Sequence, residues 1–125
     1  MIAGLGTDMI EVDRVAAKIN KESGFRELVF SAGEIAYCES KTNRFEHYAA
    51  RFAAKEAFLK ALGTGWTSGT SFHEIEILPD QKGRPELVLL GETSRSVASF
   101  GILQITVSMS HLSTLASAVV IIEKP

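Results

Sequence analysis

Cysteine, proline and long apolar runs are scarce in this sequence. Its one cysteine, Cys38, excludes an intramolecular disulfide and a cysteine-rich zinc site, and it favours a reducing compartment. The longest apolar run, Ala118–Ile122, is far too short to cross a bilayer, and Gly4, Gly6 and Asp8 interrupt any signal-peptide core. We therefore expect a cytoplasmic protein without a membrane partner.

The sequence also lacks an excess of charge of either sign. Thirteen lysines and arginines stand against fifteen aspartates and glutamates, which gives a formal net charge of -2. Nucleic-acid-binding domains are usually basic, so this balance argues against a nucleic-acid partner, and an anionic ligand would need a local cluster of positive charge. With 125 residues and no linker, repeat or low-complexity tract, the chain is predicted to form one domain over residues 1–125.

The spacing of apolar residues changes from helical to alternating near the middle of the chain. The predicted elements are, in order, a strand over Met1–Leu5, helices over Met9–Glu22, Ser31–Lys41 and Arg44–Leu62, strands over Phe72–Leu78 and Glu86–Leu90, a helix over Thr93–Phe100, and strands over Ile102–Ser110 and Ala116–Glu123. Helices grouped first and antiparallel strands later indicate an α+β fold, with helices packed on one face of a mainly antiparallel sheet.

Glu56 breaks the apolar pattern of the longest predicted helix. It falls on the stripe that also holds Phe52 and Leu59, where an unpaired carboxylate is costly. Glu56 could form an ion pair with Lys60 one turn later, or it could bind a metal ion or accept a proton at the mouth of a pocket. The residues alone leave both interpretations equally open.

Asp8 is a second acid in an unusual place. Its position three residues ahead of Glu11 is typical of a helix N-cap in a capping box. Asp8 also ends a strand that holds Gly4 and Gly6, where small residues leave room for a ligand. Two carboxylates from different segments suit Mg²⁺, which keeps several waters and is commonly shared with substrate phosphates. Asp8 and Glu56 are therefore a candidate magnesium pair.

Several segments resemble signatures of one enzyme family. Residues 4–14, GLGTDMIEVDR, are similar to the opening signature of the bacterial holo-acyl-carrier-protein synthases, and residues 51–61, RFAAKEAFLKA, resemble the central signature of the 4'-phosphopantetheinyl transferase superfamily. Residues 63–65 and 108–111 follow in the family's order, so that the resemblance covers nearly the whole chain. Leu112 and Leu115 stand where the family more often has a small polar and an aromatic residue.

The resemblance implies a fold of the 4'-phosphopantetheinyl transferase type and a specific reaction. That reaction moves 4'-phosphopantetheine from coenzyme A to a serine of apo acyl carrier protein and releases adenosine 3',5'-bisphosphate, in support of fatty acid biosynthesis. By the same resemblance, Asp8 and Glu56 would hold Mg²⁺ against the coenzyme A diphosphate, and Lys60 would assist catalysis at a phosphate oxygen. The proton of the carrier serine would pass to Glu56, Asp8 or a metal-bound water, and the sequence does not choose among them.

The resemblance also implies the residues that bind coenzyme A. They are Arg44, Arg51, Lys60, Gly63, Gly65, Ser110 and His111. Without the family, the spacing of Arg44, Arg51 and Lys55 is typical of a solvated helix face well away from Glu56, and Gly63 fits a helix C-cap. One helix cannot easily supply both sides of a pocket. Because the family is typically a homotrimer with sites at subunit interfaces, we expect the same assembly here.

A stripe of basic residues follows the first predicted helix. Arg14, Lys18 and Lys21 recur at helical spacing, and Arg26 lies just beyond them. Such a stripe is usually only solvated. The implied partner, however, is a strongly acidic carrier protein, which a positive strip can steer and orient. We therefore expect carrier-protein docking at these residues.

Two other functions fit the same residues. One is an Mg²⁺-dependent nucleotide phosphohydrolase that uses the same two acids, and the other is a non-catalytic module that binds coenzyme A or a carrier protein. Nucleotide cleavage without a carrier protein would indicate the hydrolase, whereas metal-independent binding without turnover would indicate the module.

Overall fold

The computed structural model describes residues 1–64 and 69–125 and has the mixed composition of an α+β fold. Its first half contains β1 (Ile2–Glu11), α1 (Val12–Asn20), α2 (Phe25–Val29), α3 (Ala32–Glu39) and α4 (Arg44–Leu62). Its second half contains β2 (Ile75–Pro79), β3 (Pro85–Leu89), α5 (Gly91–Ser96), β4 (Gln104–His111) and β5 (Leu115–Glu123), with 3₁₀ turns at Phe72–Glu74 and Ala98–Phe100. In the described ranges, no helix has both the length and the apolar character needed to span a membrane.

The central helix α4 packs against the larger of two antiparallel sheets. The larger sheet has the strand order β1–β5–β4, and β2 pairs with β3 as a separate hairpin. α4 contacts every strand of the larger sheet. Ala57 and Phe58 of α4 pack there against Val120 and Ile122 of β5 to form the core. The prediction of helices on one face of an antiparallel sheet is confirmed.

α4 has the bounds that the sequence predicts, and its C-terminal end follows from one residue. Gly63 adopts the left-handed conformation, with φ of 81°, and its N–H donates to the carbonyl of Lys60 at 3.0 Å. Glycine takes this conformation without steric cost, so Gly63 ends the helix as a C-cap. The C-cap interpretation of Gly63 is therefore confirmed.

β1 is longer than predicted and runs through Asp8 as far as Glu11. The predicted helix start at Met9 is wrong, because α1 begins at Val12 with Glu11 as its N-cap residue and without a side-chain capping bond. Asp8 instead pairs with Ala118 in the ladder between β1 and β5. The N-cap interpretation of Asp8 fails because tertiary pairing with β5 holds this segment extended, and a local capping bond cannot compete with a whole ladder.

Gly4 and Gly6 allow β1 to lie directly against α4. A Cβ atom on Gly4 would collide with the backbone carbonyl of Ala61, and one on Gly6 would collide with that of Ala57. Only glycine allows two backbones to approach this closely. The space that the sequence assigned to a ligand is therefore filled by α4, and this part of the prediction is wrong.

The second half of the chain differs from the prediction mainly at element ends. The segment Phe72–Glu74 forms a 3₁₀ turn before β2, and the predicted helix Thr93–Phe100 is divided between α5 and a second 3₁₀ turn. α2 was not predicted, because five residues are too few to show a helical period. Ser31 is the N-cap residue of α3, as predicted, and forms a full capping box with Glu34.

Candidate active site

Asp8 and Glu56 lie where β1 packs against α4, near enough for their charges to interact. Glu56 is half-buried, and burial raises the pKa of its carboxyl. The negative charge of Asp8 raises that pKa further, whereas the positive charges of Lys60 and Lys18 oppose the shift. The structure thus brings together the two acids that the sequence paired from separate segments.

Lys60 is bound to Asp8 in this site. Its Nζ donates to Asp8 Oδ1 at 3.1 Å and to the carbonyl of Thr7 at 3.0 Å. The hydrogen bonds therefore pair Lys60 with Asp8, whereas the sequence offered Glu56 as its ion-pair partner. β1 crosses α4 at this turn, so it presents both a side-chain and a main-chain oxygen to the ammonium group.

The chemistry of these donors fits a magnesium ion. In residues 1–64 and 69–125, no group of three or more acidic, histidine or cysteine side chains is arranged to hold a metal. Mg²⁺ does not need such a cage, because it commonly binds one or two carboxylates and completes its shell with water and substrate phosphates. Asp8 and Glu56 supply two carboxylates whose mutual repulsion favours a divalent cation.

Arg51 is buried, so the predicted solvated helix face is wrong at this position. Its Nε donates to the carbonyl of Ile77 at 2.9 Å, and its guanidinium carbon lies 4.5 Å from the ring centre of Tyr37. α3 and β2 cover this side of α4. The side chain still borders a cavity of about 160 Å³ that is also lined by His47 and His111.

Lys55 is fully buried and forms an ion pair with Glu34. Its Nζ lies 2.7 Å from Glu34 Oε1 and donates to the carbonyls of Phe72, at 2.9 Å, and Ile75. Burial lowers the pKa of the Lys55 ammonium, and the charge of Glu34 opposes that shift. The solvated-face prediction is therefore wrong for Lys55 too.

Sequence reasoning missed Glu34. Besides Lys55, it accepts hydrogen bonds from the N–H groups of Ser31, at 3.0 Å, and Ile77, at 2.9 Å. The spacing of Ser31 and Glu34 is that of a capping box and could have located Glu34 at a helix start. No local pattern could have paired it with Lys55, which is 21 residues away in the chain.

Ser110 and His111 occupy opposite sides of the end of β4. His111 lies toward α4, where its Nδ1 is 2.7 Å from Glu46 Oε1 and its ring centre is 5.1 Å from that of His47. Ser110 is exposed and pairs with Ser117 of β5. His111 therefore shares the cavity beside Arg51, whereas Ser110 lies on the outer face of the sheet.

The other residues predicted to bind coenzyme A lie apart from that cavity. Arg44 Nε is 3.7 Å from Glu39 Oε1, and the arginine borders a different cavity beside Arg26. Gly63 follows Lys60 closely, at the end of α4 that carries the acid site. Gly65 lies outside the described residues.

α4 thus carries two different faces. The first, formed by Arg51 and Lys55, is turned toward α3 and β2, and the second, formed by Glu56 and Lys60, is turned toward β1. At about 100° per residue, Arg51 and Glu56 are separated by about 140° around the helix axis. The acid site and the Arg51–His111 cavity of one chain therefore open on different sides of α4.

The predicted docking residues line one exposed edge beside the acid site. Arg14, Lys18 and Lys21 are exposed, and Lys18 Nζ lies 5.5 Å from the ring centre of Phe25. Arg26 differs from them because its guanidinium pairs with Glu27 at 2.7 Å and with Glu39 at 3.3 Å. The exposed positive charge of this edge is therefore concentrated on α1 and on Lys21, which follows it.

The outer face of the larger sheet leaves apolar side chains uncovered. Leu5 and Met9 of β1 are each 66% exposed, and Val119 of β5 is 40% exposed. In the strand register, Leu5 lies opposite Ile121 and Thr7 lies opposite Val119, so these side chains form one continuous surface. Exposed apolar patches of this kind are typical of protein–protein interfaces.

Comparison with known proteins identifies similar chains over the full length. A model of the 4'-phosphopantetheinyl transferase superfamily matches residues 4–119. A holo-[acyl-carrier-protein] synthase of Solibacter usitatus is 44% identical over 124 residues, which cover 98% of this chain and 99% of that protein. The crystal structure of holo-[acyl-carrier-protein] synthase from Neisseria meningitidis has a TM-score of 0.88 at 35% identity and covers 99% of this chain and 100% of its own. That of Bacillus anthracis, a complex with CoA (3',5'-ADP), has a TM-score of 0.81 at 32% identity and covers 100% of this chain and 99% of its own.

Proposed function

This chain belongs to the 4'-phosphopantetheinyl transferase superfamily, and we propose that it transfers 4'-phosphopantetheine from coenzyme A to a serine of apo acyl carrier protein. The observation that carries the proposal is the meeting of Asp8, Glu56 and Lys60 at the contact of β1 with α4. Similar chains are holo-[acyl-carrier-protein] synthases over nearly their full length. The hydrolase and the non-catalytic module are therefore not favoured.

The reaction transfers the phosphopantetheinyl group from an oxygen of coenzyme A to the serine oxygen of the carrier protein. The serine oxygen of the carrier forms a bond to the phosphorus that bears pantetheine, and the bond from that phosphorus to adenosine 3',5'-bisphosphate breaks. The departing bisphosphate takes the electron pair and the negative charge. In this proposal Asp8 or Glu56 would accept the proton that the serine loses, and Lys60 would supply a positive charge for a phosphate oxygen.

Asp8 and Glu56 would also hold Mg²⁺ in this proposal. When bound, the ion would neutralise charge on the diphosphate and align it for attack. The support is the donor set itself, since two carboxylates that repel each other lie beside an open site. Lys60 pairs with Asp8 and lowers the pKa of Glu56, so it also offsets part of the charge of the two acids.

Residues at several places around α4 and at the end of β4 would bind the remainder of coenzyme A. Arg51 and His111 border one cavity, so they are proposed to contact a phosphate or the adenine. Gly63 lies close to Lys60, and Gly63, Gly65, Ser110 and Arg44 complete the proposed set. Crystal structures of similar synthases from Bacillus anthracis and Helicobacter pylori are complexes with coenzyme A, which supports this ligand.

A homotrimer with sites between subunits is part of the proposal. The acid site and the Arg51–His111 cavity open on different sides of α4, so that one coenzyme A would need a neighbouring chain to reach both. The apolar outer face of the larger sheet offers a surface on which a neighbour could pack. We further propose that residues 1–125 act as one cytoplasmic domain that serves fatty acid biosynthesis.

Intact-mass spectrometry of a carrier protein tests the activity. Apo acyl carrier protein incubated with this chain, coenzyme A and Mg²⁺ should gain the mass of one phosphopantetheinyl group, and a chelator should abolish the gain. Asp8→Asn and Glu56→Gln should each slow transfer by about 100- to 1,000-fold, as expected when one electrostatic stabiliser of a reacting centre is lost. The matched control is Glu11→Gln, which changes an exposed acid at the end of β1. Near-normal transfer by Asp8→Asn or Glu56→Gln would remove that residue from the chemistry.

We propose that the carrier protein docks at the edge formed by Arg14, Lys18, Lys21 and Arg26. Arg14→Glu reverses one charge of this edge and should raise the KM for carrier protein by about ten-fold, because charge complementarity controls encounter, while the KM for coenzyme A stays the same. Arg95→Glu, on the exposed surface of α5, is the matched charge-reversal control. Equal increases of both KM values in Arg14→Glu would rule out a docking role.

A further inference from the structure

We propose that Lys60 competes with Mg²⁺ for Asp8 when coenzyme A is not bound, and that coenzyme A draws the lysine away, so that Mg²⁺ and coenzyme A bind cooperatively. This inference rests on the proposed function, in which Asp8 and Glu56 hold the metal. It adds that Lys60 is a competitor for the metal before coenzyme A binds and a phosphate ligand afterwards. Metal affinity would then depend on whether the substrate is present.

The competition follows from the hydrogen bonds of the ammonium group. Lys60 Nζ lies 3.1 Å from Asp8 Oδ1 and 3.0 Å from the carbonyl of Thr7. A carboxylate oxygen that accepts from an ammonium group is poorly available to a divalent cation, and the two positive charges repel each other at this distance. Lys60 must therefore leave Asp8, wholly or in part, before a metal ion can use that oxygen.

Lys60 is free to move because its pair is open to solvent. Its side chain is 56% exposed, and exposed ion pairs contribute little to stability. The lysine side chain is also a flexible four-carbon stem that carries a compact charge. A diphosphate presents more negative charge than one carboxylate, so that a bound coenzyme A would attract the ammonium group away from Asp8.

The consequence is a linkage between two ligands. If coenzyme A frees Asp8, it raises the affinity for Mg²⁺, and Mg²⁺ must raise the affinity for coenzyme A by the same factor. Direct contact between the metal and the diphosphate would also link them. The contribution of Lys60 is the part of the linkage that disappears when its charge is removed.

Calorimetric titration with Mg²⁺ alone, and again with saturating coenzyme A, measures this contribution without turnover. Lys60→Met should bind Mg²⁺ alone about two- to five-fold more tightly than the unsubstituted protein, the range expected when an exposed ion-pair competitor is lost. The gain in Mg²⁺ affinity on adding coenzyme A should shrink by the same factor. Lys18→Met is the matched control, because it also removes a positive charge near the site, but one that acts on Glu56 across space and not through a bond to Asp8. It should leave the effect of coenzyme A unchanged.

The outcomes separate this inference from the proposed function. If Lys60→Met binds Mg²⁺ alone no more tightly than the unsubstituted protein, or if coenzyme A has the same effect on both, the competition is refuted while the metal site stands. If Asp8→Asn binds Mg²⁺ as well as the unsubstituted protein does, the metal assignment is refuted and this inference falls with it. Transfer to the carrier protein, measured by mass, decides the activity independently of both results.

Discussion

Lys55 and Lys60 lie little more than one turn apart on α4, and each pairs with a carboxylate from another element. Their surroundings are opposite. The side chains of Lys55 and Glu34 are 0% exposed, whereas those of Lys60 and Asp8 are 56% and 19% exposed. Lys55 also donates to two backbone carbonyls of the segment around β2. The first pair is enclosed by the protein, and the second opens to solvent.

The contrast indicates that burial, rather than residue type, distinguishes the structural lysine of this helix from the lysine that is proposed to act in catalysis. A buried ion pair is tolerated only when further hydrogen bonds compensate the loss of water, and the bonds around Glu34 do so. Such a pair is fixed. The open pair of Lys60 is held by fewer contacts, so this lysine can exchange partners, as its proposed role at a phosphate oxygen requires.

The largest effect is expected when the enclosed pair is broken. Lys55→Met leaves the Glu34 carboxylate buried without its cation and should lower the free energy of unfolding by about 3–5 kcal/mol. Urea denaturation followed by circular dichroism measures this change. The double variant Glu34→Gln/Lys55→Met removes both charges and should recover part of the loss.

Lys60→Met is the matched control for this prediction. It removes the same side-chain type from the open pair, so the free energy of unfolding should change by less than about 1 kcal/mol. Similar losses in Lys55→Met and Lys60→Met would show that the two faces of α4 do not differ as their burial indicates.

A smaller effect is expected from His47, which lies one turn before Arg51 on the enclosed side of α4. Burial lowers the pKa of the His47 imidazole, and the positive charges of Arg51 and Lys41 and the neighbouring His111 lower it further, against Glu46. The folded protein therefore binds this proton less readily than the unfolded chain. Stability should be full above the unfolded pKa of about 6.5 and should fall as the pH drops through it.

Urea unfolding at several pH values between about 7.5 and 5.5 measures this dependence in the unsubstituted protein and in His47→Gln. The difference between the two slopes isolates His47 from the other titrating groups. The variant should lose less stability on acidification. Parallel slopes would mean that an added positive charge is tolerated on this side of α4, against the comparison drawn above.

The sequence predicted the bounds of α4 and singled out Asp8 and Glu56 as a pair. It did not predict the strand that holds Asp8. α4 was predictable because a long apolar period and a terminal glycine are local signals. The true setting of Asp8 was not, since a strand that continues through it is decided by β5, far along the chain. The burial of Arg51 and Lys55 was hidden for the same reason: their covering elements, α3 and β2, come together only in the fold.

The glycines and the aspartate of the opening signature have different roles. Gly4 and Gly6 allow the backbones of β1 and α4 to touch, because their neighbours are the carbonyls of Ala61 and Ala57. Asp8, two residues later, carries the chemistry proposed for the strand. A chain that kept both glycines and lost the aspartate would still assemble this strand on this helix, and a pattern search keyed to the glycines would count it as an enzyme. In annotating distant sequences, the glycines therefore indicate the packing of this strand on the helix, whereas the aspartate indicates the proposed chemistry.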